Sequence, residues 1–200
     1  MRTFANNPDL YRAIGRVAAE SAQTDEAFRE MIGGLLPDSS DDVWMLFEGQ
    51  GSDWLRNTFK MMLSHVDHQH RWWSAADHQQ FATLLREARE LGDLRNVVIH
   101  GTWHDEMVIG WSGEDDYVGR PWGDDDTDEP LFFCMRSRQR RALQEREFTV
   151  SDVNGLATRI AANRQLMADL YRKETPSHHG GGDLLRRWPA LEVPQDAPAE

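Results

Sequence analysis

Apolar residues at Phe81, Leu84, Leu85, Ala88, Leu91, Leu94 and Val98 repeat at steps of three and four, which is the period of a helix with one buried face. Ser74 with Asp77 three residues on resembles a capping box in which Asp replaces Glu, so the helix has a defined start. Gly101 is expected to end it in the left-handed conformation. A helix of this length needs partners against which to bury its stripe, and the chain supplies other helices. Asn7 and Pro8 open a stretch in which Leu10, Ile14, Val17, Ser21, Phe28, Met31, Ile32 and Leu35 keep the same period, up to Gly33-Gly34 and Pro37. Ser39 or Ser40 caps a short helix through Val43 and Phe47 that stops at Gly49. Ser52 starts another, with Trp54, Leu55, Phe59, Met62 and Leu63 as its apolar face. Ser151 is expected to cap a last helix with Val153, Leu156, Ile160, Met167 and Leu170 inward. The predicted fold is mainly α, a bundle of four to five helices.

Between Gly101 and Ser151 the period changes. Met107–Trp111 and Leu131–Arg138 read as two strands, a β-hairpin insertion at about 105–147, joined by an acidic Gly/Pro/Asp-rich loop. Residues 113–129 hold eight acids against Arg120, and 136–146 hold five arginines against Glu145. If 131–140 is a strand, Arg136, Arg138 and Arg140 share one face, suited to RNA phosphate, while Leu131, Phe133 and Met135 share the other. The same arginines are equally placed to pair with the acidic loop. The expected organisation is a single domain over 1–174 and a disordered tail over 175–200, rich in Pro, Gly and His. A net charge of −12 argues against a general nucleic-acid coat protein but leaves room for a local RNA site.

No apolar run reaches membrane-spanning length, and one cysteine, Cys134, fits a reducing cytoplasm, where it reads as a packed thiol. His65, His68 and His70 with Asp67 lack zinc-ligand spacing and read as a solvated polar turn; no metal or other cofactor is expected. Trp44, Trp54, Trp72, Trp73 and Trp103 fall on or beside apolar faces and are assigned to packing.

The chemistry-bearing string is Arg95-Asn96-Val97-Val98-Ile99-His100-Gly101, at the end of the long helix. Guanidinium binds two phosphate oxygens at once, and imidazole moves protons near neutral pH. Asn96 lies four residues before His100, within reach of the ring. On a straight helix Arg95 and His100 diverge by about 140° and ~7.5 Å, which favours a two-fold dimer that pools both pairs. An Arg and a His near a helix C-terminus also serve as ordinary dipole complementation and capping, and this reading stays open.

Leu94–Trp103 resembles the Arg-x4–6-His signature of the HEPN superfamily, in which Asn often follows the Arg and the motif closes a bundle helix. The resemblance covers roughly 8–105 and 151–173. It implies a metal-independent endoribonuclease with Arg95, Asn96 and His100 as catalytic positions. It also implies a homodimer, RNA as substrate, and a toxin–antitoxin or antiviral setting with an antitoxin or regulatory partner. Thr102 stands where some family toxins carry tyrosine. Many members of the superfamily are non-catalytic RNA-, nucleotide- or protein-binding modules, and that alternative is carried alongside.

Overall fold

The computed structural model describes residues 5–36, 45–70, 73–105, 117–118, 120–121, 128–137 and 143–174. Four long helices, α1 (Pro8–Gly34), α2 (Ser52–His70), α3 (Ala75–His100) and α4 (Val150–Glu174), enclose the core. A small sheet is inserted between α3 and α4, formed by β1 (Thr102–His104), β2 (Tyr117–Val118), β3 (Phe132–Ser137) and β4 (Leu143–Phe148). The fold is therefore mainly helical with a β insertion. No helix among the described residues is long and apolar enough to cross a membrane.

The helix starts follow local chemistry. The Asn7 side chain accepts from the amides of Asp9 and Leu10, satisfying two of the orphan donors of α1. Ser74 and Asp77 exchange amide bonds at 3.0 and 3.2 Å, the reciprocal box expected for α3. In α4 the cap is Thr149 rather than Ser151. The Thr149 amide donates to Asp152 at 2.7 Å and its hydroxyl accepts from the Asp152 amide at 3.0 Å, so the box starts two residues earlier. Ser151 lies inside the first turn and its amide donates to Glu129 at 3.2 Å.

Two apolar clusters stack along the bundle. One joins Phe28, Met31, Phe59, Leu63, Phe81, Leu84 and Met167, with Phe59 packed against Phe28 and Phe81 at ring separations of 5.7 and 5.9 Å. Edge-to-face pairs of this kind add about 0.5–1.5 kcal/mol to the area they bury. The other joins Leu10, Val17, Leu91, Val98, Leu156 and Ile160 to Trp103, Phe132, Cys134 and Phe148 of the sheet. Trp54, read as part of the apolar face of α2, instead points outward, 41% exposed, with its ring 6.1 Å from Phe47. The His-rich stretch continues α2 to His70 instead of forming a turn.

The sheet differs from the expected hairpin. Its order is β1-β3-β4-β2, with β1 and β4 antiparallel to β3 and β2 parallel to β4. The expected strand at 131–138 is present as β3, but its described partners are 102–104 and 143–148. Residues 107–111 lie outside the described residues. The facing of β3 is also opposite to expectation. Trp103, Cys134 and Arg146 are in register across three strands, as are Phe132 and Phe148. This side carries the buried Phe132, Cys134 and Phe148, because it meets the helices. Leu131, Phe133 and Met135 are exposed or half-buried.

Candidate functional site

The last turn of α3 is fixed by the sheet. Each helix end leaves carbonyls without an intrahelical donor, and here β1 and β3 supply donors. The Val97 carbonyl accepts from the Gly101 amide at 2.8 Å and from the Cys134 thiol at 3.4 Å. The Val98 carbonyl accepts from the Trp103 indole at 3.1 Å. Gly101 is extended (φ −83, ψ 161), not left-handed, so the chain passes straight from α3 into β1. Its lack of a side chain matters for a different reason. A Cβ here would overlap the Cys134 sulfur and stand 2.6 Å from the Val97 carbonyl oxygen. Cys134 is fully buried, and that burial pushes its pKa up to about 12 against the opposing charges of Arg136 and Arg146. It is a neutral packed thiol, as read from the sequence.

On this clamped helix end, Arg95 and Asn96 are half-buried and His100 is exposed. Arg95 Nη1 donates to Asn96 Oδ1 at 2.9 Å, while Arg95 Nε is buried without a hydrogen-bond partner. Among the described residues no hydrogen bond joins Asn96 to His100, so the Asn carbonyl orients the guanidinium rather than the ring. The helix is continuous through the motif, and five helical residues leave the two functional groups about 140° apart. One chain does not bring them to a single point.

Arg95 instead borders a cleft between the four helices, with free space of about 430 Å³ that includes its open mouth. The cleft lies where the two apolar clusters meet, walled by Phe28 and Ala88 from one and Leu91 and Ile160 from the other. Its polar groups are Ser21, Thr24 and Asp25 from α1, Ser52 and Arg56 from α2, Arg95 from α3 and Asn163 from α4. Ser52 Oγ donates to Asp25 at 2.9 Å. Burial raises the Asp25 pKa, opposed by that hydrogen bond and by the charges of Arg95, Arg29 and Arg56. Arg56 is 8% exposed and pairs with Asp53 at the surface. Asn163 Nδ2 donates to the Leu84 carbonyl and to Glu87, both at 3.1 Å.

Asp25, Arg56 and Asn163 were not singled out from the sequence, yet a signal existed. Each interrupts an apolar stripe: Asp25 between Ser21 and Phe28, Arg56 beside Leu55 and before Phe59, Asn163 between Ile160 and Met167. Arg95 stands next to Leu94 at the edge of the stripe, between Leu91 and Val98. The fold brings these four residues to one level of the bundle. Of the proposed RNA-contacting arginines, Arg136 lies half-buried at the end of β3, on the side facing the helices; Arg138 and Arg140 lie outside the described residues. Among the described residues no group of His, Cys, Asp and Glu is placed to hold a metal ion. No protein family, curated protein or solved structure matches this chain.

Proposed function

We propose that this chain is a metal-independent endoribonuclease of the HEPN type, active as a cytoplasmic homodimer and serving a toxin–antitoxin or phage-defence role. The supporting observation is the end of α3, where the sheet clamps the last turn and leaves the His100 imidazole exposed one and a half turns beyond a half-buried, Asn-oriented Arg95. In the proposed reaction the RNA 2′-oxygen attacks phosphorus and the P–O5′ bond breaks, leaving a 2′,3′-cyclic phosphate and a 5′-hydroxyl. Arg95 neutralises the phosphate charge, and His100 takes the 2′ proton or supplies the 5′ proton. Because the two groups diverge on one helix, a second protomer is required to complete each site. Arg136, Arg138 and Arg140 would extend the contact along the RNA backbone.

A second reading is favoured by the direction of Arg95, which borders the Asp25–Arg56 cleft. In this reading the bundle is a non-catalytic RNA- or nucleotide-binding module. The two are separated by an RNA cleavage assay in EDTA. The nuclease reading expects cleavage of RNA but not DNA, its loss in Arg95→Ala and His100→Ala with helical circular dichroism intact, and light scattering at twice 23.0 kDa. Cleavage that survives the double variant, or that needs added metal, overturns it. An inert wild-type chain that still binds RNA leaves the binding module.

A further inference from the structure

Among the described residues, Asp25 is the one acidic side chain lining the cleft between the four helices, and three guanidinium groups act on it. Arg29 lies one turn further along α1, Arg56 on α2 and Arg95 on α3. Two of these have acidic partners of their own: Arg29 pairs with Glu26 at 2.9 Å and Arg56 with Asp53. Arg95 makes no ion pair among the described residues; its Nη1 donates to Asn96 at 2.9 Å and its Nε is buried without a hydrogen-bond partner. A half-buried cation without a direct partner is governed by the nearest opposite charge, because screening is weak there. That charge is Asp25, whose carboxyl feels Arg95 more than Arg29 or Arg56. Asp25 is itself fixed, since Ser52 Oγ at the start of α2 donates to it at 2.9 Å. Folding does not gain from the placement: burial raises the Asp25 pKa, and the Ser52 hydrogen bond and the arginine charges only oppose that rise. A titratable group held at a cost in stability beside a specific charge is a common feature of functional sites. The part of the cleft open to water measures about 40 Å³, room for a few waters, so its polar lining serves the residues that form it.

We propose that Asp25 is a positioning residue for Arg95: fixed by Ser52, its carboxylate holds the guanidinium at the cleft side of α3 and, with Asn96, sets the direction in which Arg95 meets a phosphate. Asn96 supplies a hydrogen bond to one end of the guanidinium, and Asp25 supplies opposite charge from α1. A fork held in this way loses less freedom when it closes on two phosphate oxygens. Asp25 touches neither RNA nor the reacting atoms, and it acts through Arg95. It also has an opposing effect on affinity, because a negative charge beside Arg95 repels an incoming phosphate. Removing the carboxylate therefore separates two quantities: binding is eased and orientation is lost. The role in RNA cleavage rests on the ribonuclease reading; the hold of Asp25 on Arg95 does not.

Two measurements on the full chain test this. The first follows the Arg95 Nε proton by heteronuclear NMR, its resonance assigned by its absence from Arg95→Lys. A buried Nε–H exchanges slowly with water while its side chain is held. Asp25→Asn is expected to speed that exchange by roughly tenfold, and Asp25→Glu, which keeps the charge, to restore part of the protection. The second is steady-state RNA cleavage in EDTA. Asp25→Asn should lower kcat by roughly ten- to a hundredfold, the scale of a misplaced catalytic group, with KM unchanged or lower, and Asp25→Glu should recover part of kcat. Unchanged exchange in Asp25→Asn, a rise in KM with kcat intact, or an Asp25→Glu chain no better than Asp25→Asn in either measurement would each overturn the positioning role. Cleavage undisturbed in Asp25→Asn leaves the nuclease standing and removes that role. If the wild type cleaves no RNA, the ribonuclease reading falls by itself, and exchange of the Arg95 proton alone decides whether Asp25 holds Arg95.

Discussion

Replacing Gly101 by alanine tests the clamp that holds the end of α3. The backbone there is extended, so alanine meets no conformational penalty and would on its own stabilise the chain by about 0.4–1 kcal/mol through the unfolded state. Space decides otherwise. The new methyl overlaps the Cys134 sulfur, approaches the Val97 carbonyl oxygen to 2.6 Å and the Met135 carbonyl oxygen to 3.4 Å. Overpacking of this type costs about 1–3 kcal/mol, and displacing the thiol from the Val97 carbonyl forfeits a hydrogen bond worth about 0.5–1.5 kcal/mol. The net expectation is a loss of about 1–3 kcal/mol, or about 2–12 °C in Tm for a chain of this size. Urea unfolding of wild type, Gly101→Ala, Cys134→Ala and the double variant gives the coupling directly. In the Cys134→Ala background the nearest obstacle is gone, so alanine at 101 should cost at least ~1 kcal/mol less than in wild type. A Gly101→Ala protein as stable as wild type, or a penalty unchanged by Cys134→Ala, would refute the steric account.

Asp25→Asn should gain stability over wild type as pH rises. Burial raises the Asp25 pKa, so the folded state holds that proton more tightly than the unfolded chain, and wild type loses stability as pH climbs from the ordinary 3.8 through the raised value. Unfolding midpoints that keep a constant offset from roughly pH 4 to 7 would count against it. Arg120→Ala should cost about 3–5 kcal/mol, because it leaves Asp152, whose side chain is 4% exposed, without the two-pronged contact that Arg120 makes at 3.0 and 3.1 Å. A loss below ~1 kcal/mol in urea unfolding would show the pair to be dispensable.

The helices were legible because each carries its own signals. Asn7-Pro8, Ser74-Asp77 and the inward stripe of α4 act within a few residues of themselves, and the structure places them as the sequence suggested. β4 was not legible. Leu143–Phe148 reads Leu-Gln-Glu-Arg-Glu-Phe, a polar run that carries no alternation of apolar and polar residues, because Glu145 is fully buried while Arg146 is half-buried. What makes it a strand is its register with β3, a contact set by tertiary packing. The facing of β3 failed for a related reason. Both alternating sets, Phe132/Cys134 and Phe133/Met135, are apolar, and the Trp103–Cys134 pairing beneath α3 selects between them.

The candidate site divides along the same line. Arg95, Asn96 and His100 are consecutive on one helix, so their residue types and spacing stood in the sequence; their directions did not, since these depend on where α3 stops and on what holds its end. The sheet explains that end. Trp103 and Cys134 take the Val98 and Val97 carbonyls, and the missing Cβ of Gly101 lets the sulfur approach, so the segment after the motif fixes the last turn of the motif helix. The cleft was harder to see because its members are spread over four helices, at 25, 56, 95 and 163. Each is a polar residue on or beside an apolar stripe, which alone means little. Only the fold brings them to one level, between the two apolar clusters, where they border a single cleft.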